Sequence, residues 1–223
     1  MHKASGTGYT GQVPDSSPSP ENPSREQPQS LRAEQIAQTR AALIAAGRQL
    51  FGRDGFAATS VEELAAEARV TTGALYHHFP TKTKLFEAVF AGAHDELLAA
   101  SAKAADGAPD EVELLARGFE GFLDAILEPD LQRIVIIDAP AVLGLARYTE
   151  LDERYAFAAV VAALEAAIAA GRLAVSEPQT LARLLLGALT RGAMLIANSA
   201  DPSKTRDEVA STMRAMLDGF AAR

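Results

Sequence analysis

A short stretch of the sequence brings together side chains that suit contacts with a nucleic acid. Thr72, Tyr76 and His77 are spaced so that they share the outward side of one helix, while Leu75 falls on the inward side. Hydroxyl and phenol groups reach phosphate oxygens, an imidazole donates to or accepts from a base edge, and Gly73 permits close approach of a backbone. This combination of residues indicates binding to duplex DNA.

A phosphate clamp is predicted directly after this stretch. Thr81 is expected to cap the next helix, and Lys82 lies in the first turn of that helix. The N–H groups of a first turn have no partner within the helix, and the helix dipole adds positive potential there. Such a clamp fixes the position of a DNA backbone without reading its sequence.

The elements that position these residues are expected to be helices. Apolar residues recur with a 3.6-residue period from residue 32 to the end, and no stretch alternates apolar and polar residues as a strand does. The fold class is therefore predicted to be all-α, with about nine helices. Helix one is expected from about Ala33 to Arg53, closed at Gly55 by a Schellman cap in which Phe51 touches Phe56.

Two short helices with a tight turn between them are predicted next. Either Thr59 or Ser60 can cap the first of them, because each has a glutamate three residues later. The second is expected from Thr72 to His78, and Pro80 ends it because proline cannot continue the backbone ladder. Such a pair, supported by a longer helix, lets its second helix enter a major groove.

Composition restricts the other possible functions. The chain has 223 residues and no cysteine, which excludes disulfides, thiolate zinc sites and cysteine nucleophiles and favours a cytoplasmic location. The net charge of −8 is uneven, with +2 on residues 31–85 and −9 from residue 86 onward, as expected if only one end meets phosphates. Residues 1–30, rich in Ser and Pro, are expected to form a disordered arm. The most membrane-like stretch, Tyr155 to Gly171, is mostly alanine, so a core helix is expected and no membrane partner.

Three segments resemble the amino-terminal domain of the tetracycline-repressor (TetR) family. They are Phe51 to Phe56, Thr59 to Ala65, and Val70 to Lys82, and Leu75, Tyr76, Phe79 and Lys82 carry most of the specificity. The resemblance implies that Tyr76 and Lys82 contact phosphates and that Thr59 and Ser60 meet phosphate at the start of the second helix. By the same resemblance, the residues that approach bases and neighbouring backbone are Thr71, Thr72, Gly73 and His77.

One residue departs from the family pattern. Arg69 stands where the family usually has glycine in the turn, and a left-handed backbone there would cost a non-glycine residue about 1 kcal/mol. The segment from Arg133 to Gly144 also resembles a stretch in some family members. Within it, an interruption between two helices is expected at residues 139–144.

The resemblance also implies a carboxy-terminal domain that binds a small molecule and forms a homodimer. The expected domains are an arm at 1–30, a helix-turn-helix domain at 31–80, and a ligand-binding and dimerisation domain at 81–223. The last two helices, about Glu177 to Ser199 and Ser203 to Ala222, would pair with their copies as a four-helix bundle. Their expected interface residues are Leu181, Leu185, Leu189, Met213 and Leu217. Gly187 and Gly192 would allow close approach of helices.

Several polar or aromatic residues in the helical body are candidates to line a ligand cavity. They are His94, Arg117, Phe122, Arg133, Asp138, Tyr155, Arg191 and Asn198. No catalytic residue, metal or cofactor is predicted, because no nucleophile–base pair, carboxylate pair or phosphate-binding loop is present. The expected function is a DNA-binding repressor that binds a palindromic operator as a homodimer and is released by a small-molecule effector. The alternative is a helical small-molecule binder or enzyme that does not use DNA.

Overall fold

The protein is described by a computed structural model that covers residues 27–222, apart from the side chains of residues 27–30, 152 and 153. These residues form ten α-helices and one π-helical segment and contain no β-strand, which confirms the all-α prediction. The helices are α1 Gln27–Asp54, α2 Val61–Glu67, α3 Thr72–His78, α4 Lys82–Ala105, α5 Glu111–Ala125, α6 Pro129–Gln132, α7 Ala139–Leu143, α8 Leu145–Ala169, α9 Pro178–Ala197 and α10 Pro202–Asp218, with the π-helical segment at Arg133–Asp138.

The chain divides into two units after Ala37, and the candidate site lies entirely in the second. The first unit contains the described start of α1. The disordered arm predicted for residues 1–30 lies outside the described residues up to residue 26, and the prediction is wrong for residues 27–30, which are helical. Pro28 is compatible with this start because the N–H that proline lacks has no partner in a first helical turn.

The end of α1 follows the prediction in its residues but differs in its hydrogen bonds. Gly55 has φ of 87°, a left-handed conformation that glycine adopts at no steric cost, and its N–H donates to Phe51 O over 3.0 Å. This single bond defines an αL cap rather than the predicted Schellman cap. The rings of Phe51 and Phe56 do touch, with centroids 5.6 Å apart. In a Schellman cap the Phe56 N–H would donate to Phe51 O, so here it is available to a different acceptor.

The turn between α2 and α3 is closed by a Schellman cap centred on Arg69. Arg69 N–H donates to Ala66 O, and Val70 N–H donates to Ala65 O over 2.9 Å. This pattern needs a left-handed residue, and Arg69 has φ of 56°. Arg69 therefore adopts the conformation that glycine favours, and its side chain is exposed.

The second unit has a continuous apolar core that joins the short helices to the body. Leu43 of α1, Leu64 of α2 and Leu75 of α3 are fully buried together with Phe86 of α4. Gly47 allows α1 and α4 to approach closely, because a Cβ there would lie 2.8 Å from Val89 Cγ2. The positions of α2 and α3 are therefore set by α1 and α4.

The prediction of an interruption between helices at residues 139–144 is wrong for most of these residues. The backbone passes from the π-helical segment directly into α7 and breaks only at Gly144, where φ is 77°. Pro140 explains the π-helical register, because proline has no N–H for Ile136 O and its ring clashes with that carbonyl in a regular α-helix. Ala139 N–H accordingly donates to Ile134 O, five residues back.

The helices α9 and α10 occur where they were predicted, but their inward faces differ from the expectation. All five residues assigned to a dimer interface are buried within the single chain, so that assignment is wrong: they are Leu181, Leu185, Leu189, Met213 and Leu217. Gly192 does permit close approach, because a Cβ there would lie 2.5 Å from Val209 Cγ1 of α10, whereas Gly187 faces open space. The exposed apolar residues of these helices include Leu184, Leu195 and Met216, and Phe220, two residues after α10, is exposed as well.

Among residues 27–222 one helix, α9, is long and apolar enough to cross a membrane by length and composition alone. It is a different helix from α8, where the most membrane-like stretch was expected. Leu185, Leu189 and Ile196 of α9 belong to the apolar core of the chain. Core helices of globular proteins pass the same test, so this feature does not by itself indicate a membrane span.

Replacing Arg69 by glycine should stabilise the protein. Arg69→Gly is expected to raise the free energy of unfolding by about 1 kcal/mol, because glycine takes a left-handed backbone without the clash of a Cβ atom. Arg69→Ala removes the same guanidinium but keeps Cβ, and should stay within about 0.5 kcal/mol of the parent protein. Urea unfolding of the three proteins measures the difference. An equal gain in Arg69→Ala would assign the effect to the charge instead of the backbone.

Candidate nucleic-acid interface and internal cavity

The surface of α3 has the division between buried and exposed residues that the sequence predicts. Leu75 is 0% exposed and Phe79 is 3% exposed, whereas Tyr76, between them in sequence, is 51% exposed. His77 and Thr72 are exposed as well. The outward side of α3 therefore presents a phenol, an imidazole and a hydroxyl to an approaching partner.

The start of α3 is capped in a way that leaves its outer groups accessible. The Thr71 hydroxyl accepts a hydrogen bond from Ala74 N over 3.1 Å, and its own proton remains available to an acceptor. Thr71 and Gly73 are both exposed, and the atom nearest to a Cβ built at Gly73 is Thr71 Oγ1 at 3.8 Å. A partner backbone can therefore approach Gly73 closely.

The two hydroxyls predicted to meet phosphate at the start of α2 are used within the protein. Thr59 is 2% exposed, and its hydroxyl donates to Gly55 O over 2.8 Å, so that prediction is wrong for Thr59. Ser60 forms the capping box, donating through Oγ to Glu63 Oε2 and accepting from Glu63 N. The N–H and hydroxyl bonds from Ser60 lower the pKa of the Glu63 carboxyl. The proton of the Ser60 hydroxyl is therefore committed to Glu63, which is a correction to its expected role.

Lys82 also has a different role from the predicted phosphate contact. Its Nζ donates to Phe56 O over 2.7 Å and to Thr59 O over 2.8 Å, and it lies 4.1 Å from the centroid of the Phe56 ring. Burial lowers the pKa of the Lys82 ammonium, while the two carbonyl oxygens hold its protonated form in place. The side chain thus braces the loop between α1 and α2 against α4.

Two arginines that the sequence reasoning did not assign lie beside α3 with exposed guanidinium groups. Arg69 lies in the turn before α3. Arg40 stacks over the ring of Phe79, the residue that follows α3, with its Cζ 5.0 Å from the ring centroid. Neither forms an ion pair within residues 27–222. Other cations of this region are paired with carboxylates, for example Lys84 with Glu87. Arg69 stands two residues before Thr71 in the sequence, and that position is the signal that would have indicated it, whereas Arg40 of α1 reaches Phe79 only through the tertiary fold.

A cavity of about 650 Å³ lies between α4, α5, α8 and α9. Its wall is mostly apolar and includes Leu97, Phe119, Val160 and Leu189. His94 is buried, 4% exposed, and forms part of this wall. Its ring stacks on Tyr155, with centroids 4.8 Å apart and an interplanar angle of 28°. Burial, with a smaller contribution from Asp95, raises the pKa of the Tyr155 phenol.

Three of the eight predicted ligand-binding residues line this cavity, namely His94, Phe122 and Tyr155. Two others are on the surface, which corrects their assignment: Arg191 is exposed, and Asn198 is exposed with its Nδ2 donating to Met194 O. Arg117 is also outside the lining and pairs with Glu113 over 2.8 Å. Polar character alone did not distinguish lining residues from surface residues.

Arg133 and Asp138 connect the body to the end of α1, which also corrects their assignment to the cavity. Asp138 Oδ2 accepts a hydrogen bond from Phe56 N over 2.7 Å, and this is the N–H left over by the αL cap. A Cβ at Gly55 would lie 3.3 Å from both Arg133 Nη1 and Asp138 Oδ2. The π-helical segment therefore packs against the turn that precedes α2.

The architecture and this surface are those of a helix-turn-helix protein with a larger helical body, and comparison with known proteins identifies its family. Residues 43–89 match the family described as bacterial regulatory proteins, tetR family, and residues 112–220 match the tetracyclin repressor-like C-terminal domain. The crystal structure of a TetR-family transcriptional regulator from Pectobacterium atrosepticum is 33% identical. It superposes with a TM-score of 0.76 over 85% of this chain and 97% of that one.

Characterised relatives agree with this match. The Transposon Tn10 TetC protein of Escherichia coli is 27% identical over 69% of this chain and 78% of its own length. The HTH-type transcriptional repressor KstR2 of Mycobacterium tuberculosis is 27% identical over 55% of this chain and 62% of its own length. The chain belongs to the TetR family of DNA-binding transcriptional regulators, which confirms the resemblance drawn from the sequence.

The brace formed by Lys82 predicts a loss of stability when its ammonium is removed. Lys82→Met keeps most of the stem but leaves Phe56 O and Thr59 O without a donor. It should lower the free energy of unfolding by about 2 kcal/mol, as for hydrogen bonds to a charged group. Lys84→Met is the matched control, because that lysine is exposed and should change stability by less than about 0.5 kcal/mol. Urea unfolding measures both variants, and equal effects would contradict the bracing role.

Proposed function

We propose that this TetR-family regulator is a repressor that binds a near-palindromic operator as a homodimer, and that a small molecule in the cavity releases it. The exposed side of α3, with Tyr76 outward and Leu75 in the core, is the observation that carries the proposal. We take residues 31–80 as the DNA-binding domain, 81–223 as the ligand-binding and dimerisation domain, and the cytoplasm as the place of action. No catalytic function is proposed.

In this proposal α3 lies in the major groove. His77 and Thr72 approach base edges, Gly73 admits the DNA backbone, and the Tyr76 hydroxyl and Thr71 contact phosphates. These side chains are exposed and rise from a helix fixed by the buried Leu75. Two copies would place their α3 helices about 34 to 36 Å apart, which is one turn of B-DNA.

Phosphate contacts in this proposal come from Arg69 and Arg40 and from the first turn of α4. The Lys82 side chain does not serve here because two carbonyls hold its ammonium. The Thr81 hydroxyl accepts from Lys84 N, so the N–H groups of Lys82 and Thr83 remain available to a phosphate oxygen. Arg40 and Arg69 supply the positive charge that neutralises phosphates and releases their counterions. The sequence predicted this role for Lys82.

The exposed sides of α9 and α10 support a dimer interface opposite to the one first expected. On α9 the exposed Leu184, Arg191 and Leu195, together with the half-buried Ala188, follow the spacing of a helix-packing stripe. Leu184 is 65% exposed, and Met216 of α10 is exposed as well. A second copy would cover this apolar surface, which also accounts for the high hydropathy of α9.

The helix α4 offers a route from the cavity to DNA. Its first turn lies beside α3, and the same helix lines the cavity from His94 to Ala105. His94 is twelve residues beyond Lys82, or about 18 Å along the helix axis. A ligand releases DNA only if it prefers the non-binding arrangement, and moving the equilibrium from 1:99 to 99:1 requires roughly a 10⁴-fold preference.

A second connection runs through the π-helical segment. The bond from Phe56 N to Asp138 ties this segment to the loop that precedes α2, and the segment also packs against α4 and α9. α9 contributes Leu186 and Leu189 to the cavity wall. Movement of either α4 or α9 would therefore reach the loop that carries Thr59 and Ser60.

Selection of bound sequences from a random duplex pool tests the DNA-binding proposal directly. We expect a palindromic consensus, bound by the dimer with an affinity that falls steeply as salt increases. Retention of no duplex at low salt would instead favour the alternative, a helical small-molecule binder that does not use DNA.

A comparison of variants at His77 and at its neighbour His78 distinguishes the loss of a base contact from a general effect on the fold. His77→Ala should change the order of preference among operator variants by about 1 to 3 kcal/mol at one base position, because a base-edge contact is lost. His78→Ala, on a half-buried neighbour, should leave that order unchanged. Electrophoretic mobility shifts over a set of single-base operator variants measure both proteins. Equal losses on every variant for His77→Ala would reassign it to backbone positioning.

The exposed stripe of α9 predicts a specific loss of dimerisation. Leu184→Glu should raise the dimer dissociation constant roughly tenfold or more, because two carboxylates would enter an apolar interface. Leu145→Glu is the matched control, since Leu145 is 75% exposed and begins α8, away from the stripe. Sedimentation velocity at micromolar concentration measures both variants. A Leu184→Glu protein that dimerises like its parent would place the interface elsewhere.

A further inference from the structure

We infer that the cavity binds an uncharged, largely apolar molecule that contains a ring system and one hydroxyl group, with the hydroxyl at the His94–Tyr155 end. This inference rests on the proposed function only where it identifies that molecule as the effector. It is argued from the charge, the dimensions and the polar groups of the cavity wall.

The charge of the wall excludes an ionic ligand. Among the residues that the structure describes, those that line the cavity include no Lys or Arg, and Asp106 is the one acidic residue of that lining. Asp106 is exposed and so belongs to the rim. The neighbouring arginines of α5 and α10 are occupied: Arg117 pairs with Glu113, and Arg214 pairs with Glu113 and Glu120. A carboxylate or phosphate would lose its hydration there without a Lys or Arg side chain to replace it.

The dimensions of the cavity favour a ring system over a single alkyl chain. The lining residues of α4 run from His94 to Ala105, about 16 Å along the helix axis, and those of α8 run from Tyr155 to Ala163, about 12 Å. A volume of about 650 Å³ over such a length gives a mean cross-section of roughly 45 Å². That section is wider than an extended chain, and Phe119 and Phe122 provide aromatic surface against a flat ring.

The polar groups place the hydroxyl of the ligand at the buried end. His94 and Tyr155 stack there, and the His94 Nδ1 lies 3.4 Å from Phe90 O. The Tyr155 hydroxyl forms no hydrogen bond within the described residues, whereas the Ser101 hydroxyl is used by Leu97 O over 3.0 Å. A ligand hydroxyl at Tyr155 would therefore gain a partner, and the remainder of the molecule would lie among Leu, Ala and Phe side chains.

Three probes of similar size and different charge test this inference: 4-phenylphenol, biphenyl-4-carboxylate and 4-phenylbenzylamine. At neutral pH only the first is uncharged. Calorimetric melting of the full chain should show a rise in Tm with 4-phenylphenol of roughly 5 °C at one hundred times its Kd, and none with the two ions. Greater stabilisation by either ion, or no binding of 4-phenylphenol, would overturn the inference.

A cavity-filling variant assigns the binding to this site. Gly118 lines the cavity, and the nearest atom to a Cβ built there is Ser101 O at 4.0 Å, so Gly118→Leu should fold and fill the space. Gly92→Leu is the control, because Gly92 of α4 is outside the lining and has no atom within 4 Å of such a Cβ. Gly118→Leu should abolish the Tm shift and Gly92→Leu should retain it. A shift that survives Gly118→Leu would overturn the assignment to this cavity.

The hydroxyl position has its own test. Tyr155→Phe should weaken 4-phenylphenol about five- to tenfold, as for one lost hydrogen bond, and leave unsubstituted biphenyl unchanged. Equal weakening of both would contradict the proposed orientation.

Failure of the ligand class and failure of the proposed function give different results. DNA release is measured separately, by adding each probe to the complex with the selected operator. Binding of 4-phenylphenol without release would contradict the effector role and leave the ligand class intact. Release by biphenyl-4-carboxylate alone would contradict the ligand class and leave the regulator function intact.

Discussion

The position of Phe56 is the constraint on which the rest of the structure depends. Its ring packs on Phe51 and Phe86, with centroids 5.6 and 5.3 Å away. Its N–H donates to Asp138 and its carbonyl accepts from Lys82. One residue after the αL turn thus joins α1, α4 and the π-helical segment. Because all three elements meet at Phe56, the loop leading to α2 and α3 has little freedom to shift without breaking several bonds.

This constraint explains why three polar residues that suit DNA contacts serve the fold instead. Thr59, Ser60 and Lys82 satisfy groups of the α1–α2 loop and of the α2 N-terminus. A carbonyl or N–H that loses its partner where water has little access costs more than a surface contact provides, so these side chains stay with their partners within the protein. The proposed binding surface is consequently carried by α3 and by Arg40 and Arg69 on either side of it. In this proposal Thr59, Ser60 and Lys82 keep the surface rigid, and different residues contact DNA.

The same arrangement gives the cavity a mechanical connection to α3. α4 is continuous for 24 residues, so a displacement of its cavity-lining part is carried to its first turn. Lys82 and Phe86 at that end hold the loop through a cation, two hydrogen bonds and a ring contact. The described cavity wall is mostly apolar and includes no Lys or Arg, and its acidic residue Asp106 lies at the rim, so we expect selection of the proposed ligand to depend on shape and desolvation more than on ion pairing.

The amino-acid sequence by itself determined the features that depend on near neighbours in the chain. These include a capping box at Thr59 or Ser60 for α2, the capping of α4 at Thr81, the end of α1 at Gly55, and the outward side of α3. Each arises from contacts within three or four residues, which spacing and residue type indicate, although spacing alone left the choice between Thr59 and Ser60 open. The family was identifiable from the same local pattern.

Only the tertiary structure decided which groups meet across long separations. Lys82 finds its acceptors 26 and 23 residues away, and Asp138 finds Phe56 across 82 residues. The inward face of α9 was also undecidable from periodicity, because leucines occur on nearly every side of that helix: Leu185 is buried and Leu184 is exposed. The apolar residues of a helix indicate how much of its surface must be buried. Which face is buried depends on the shapes of the neighbouring helices. For the same reason the cavity residues became known only when four helices were placed together.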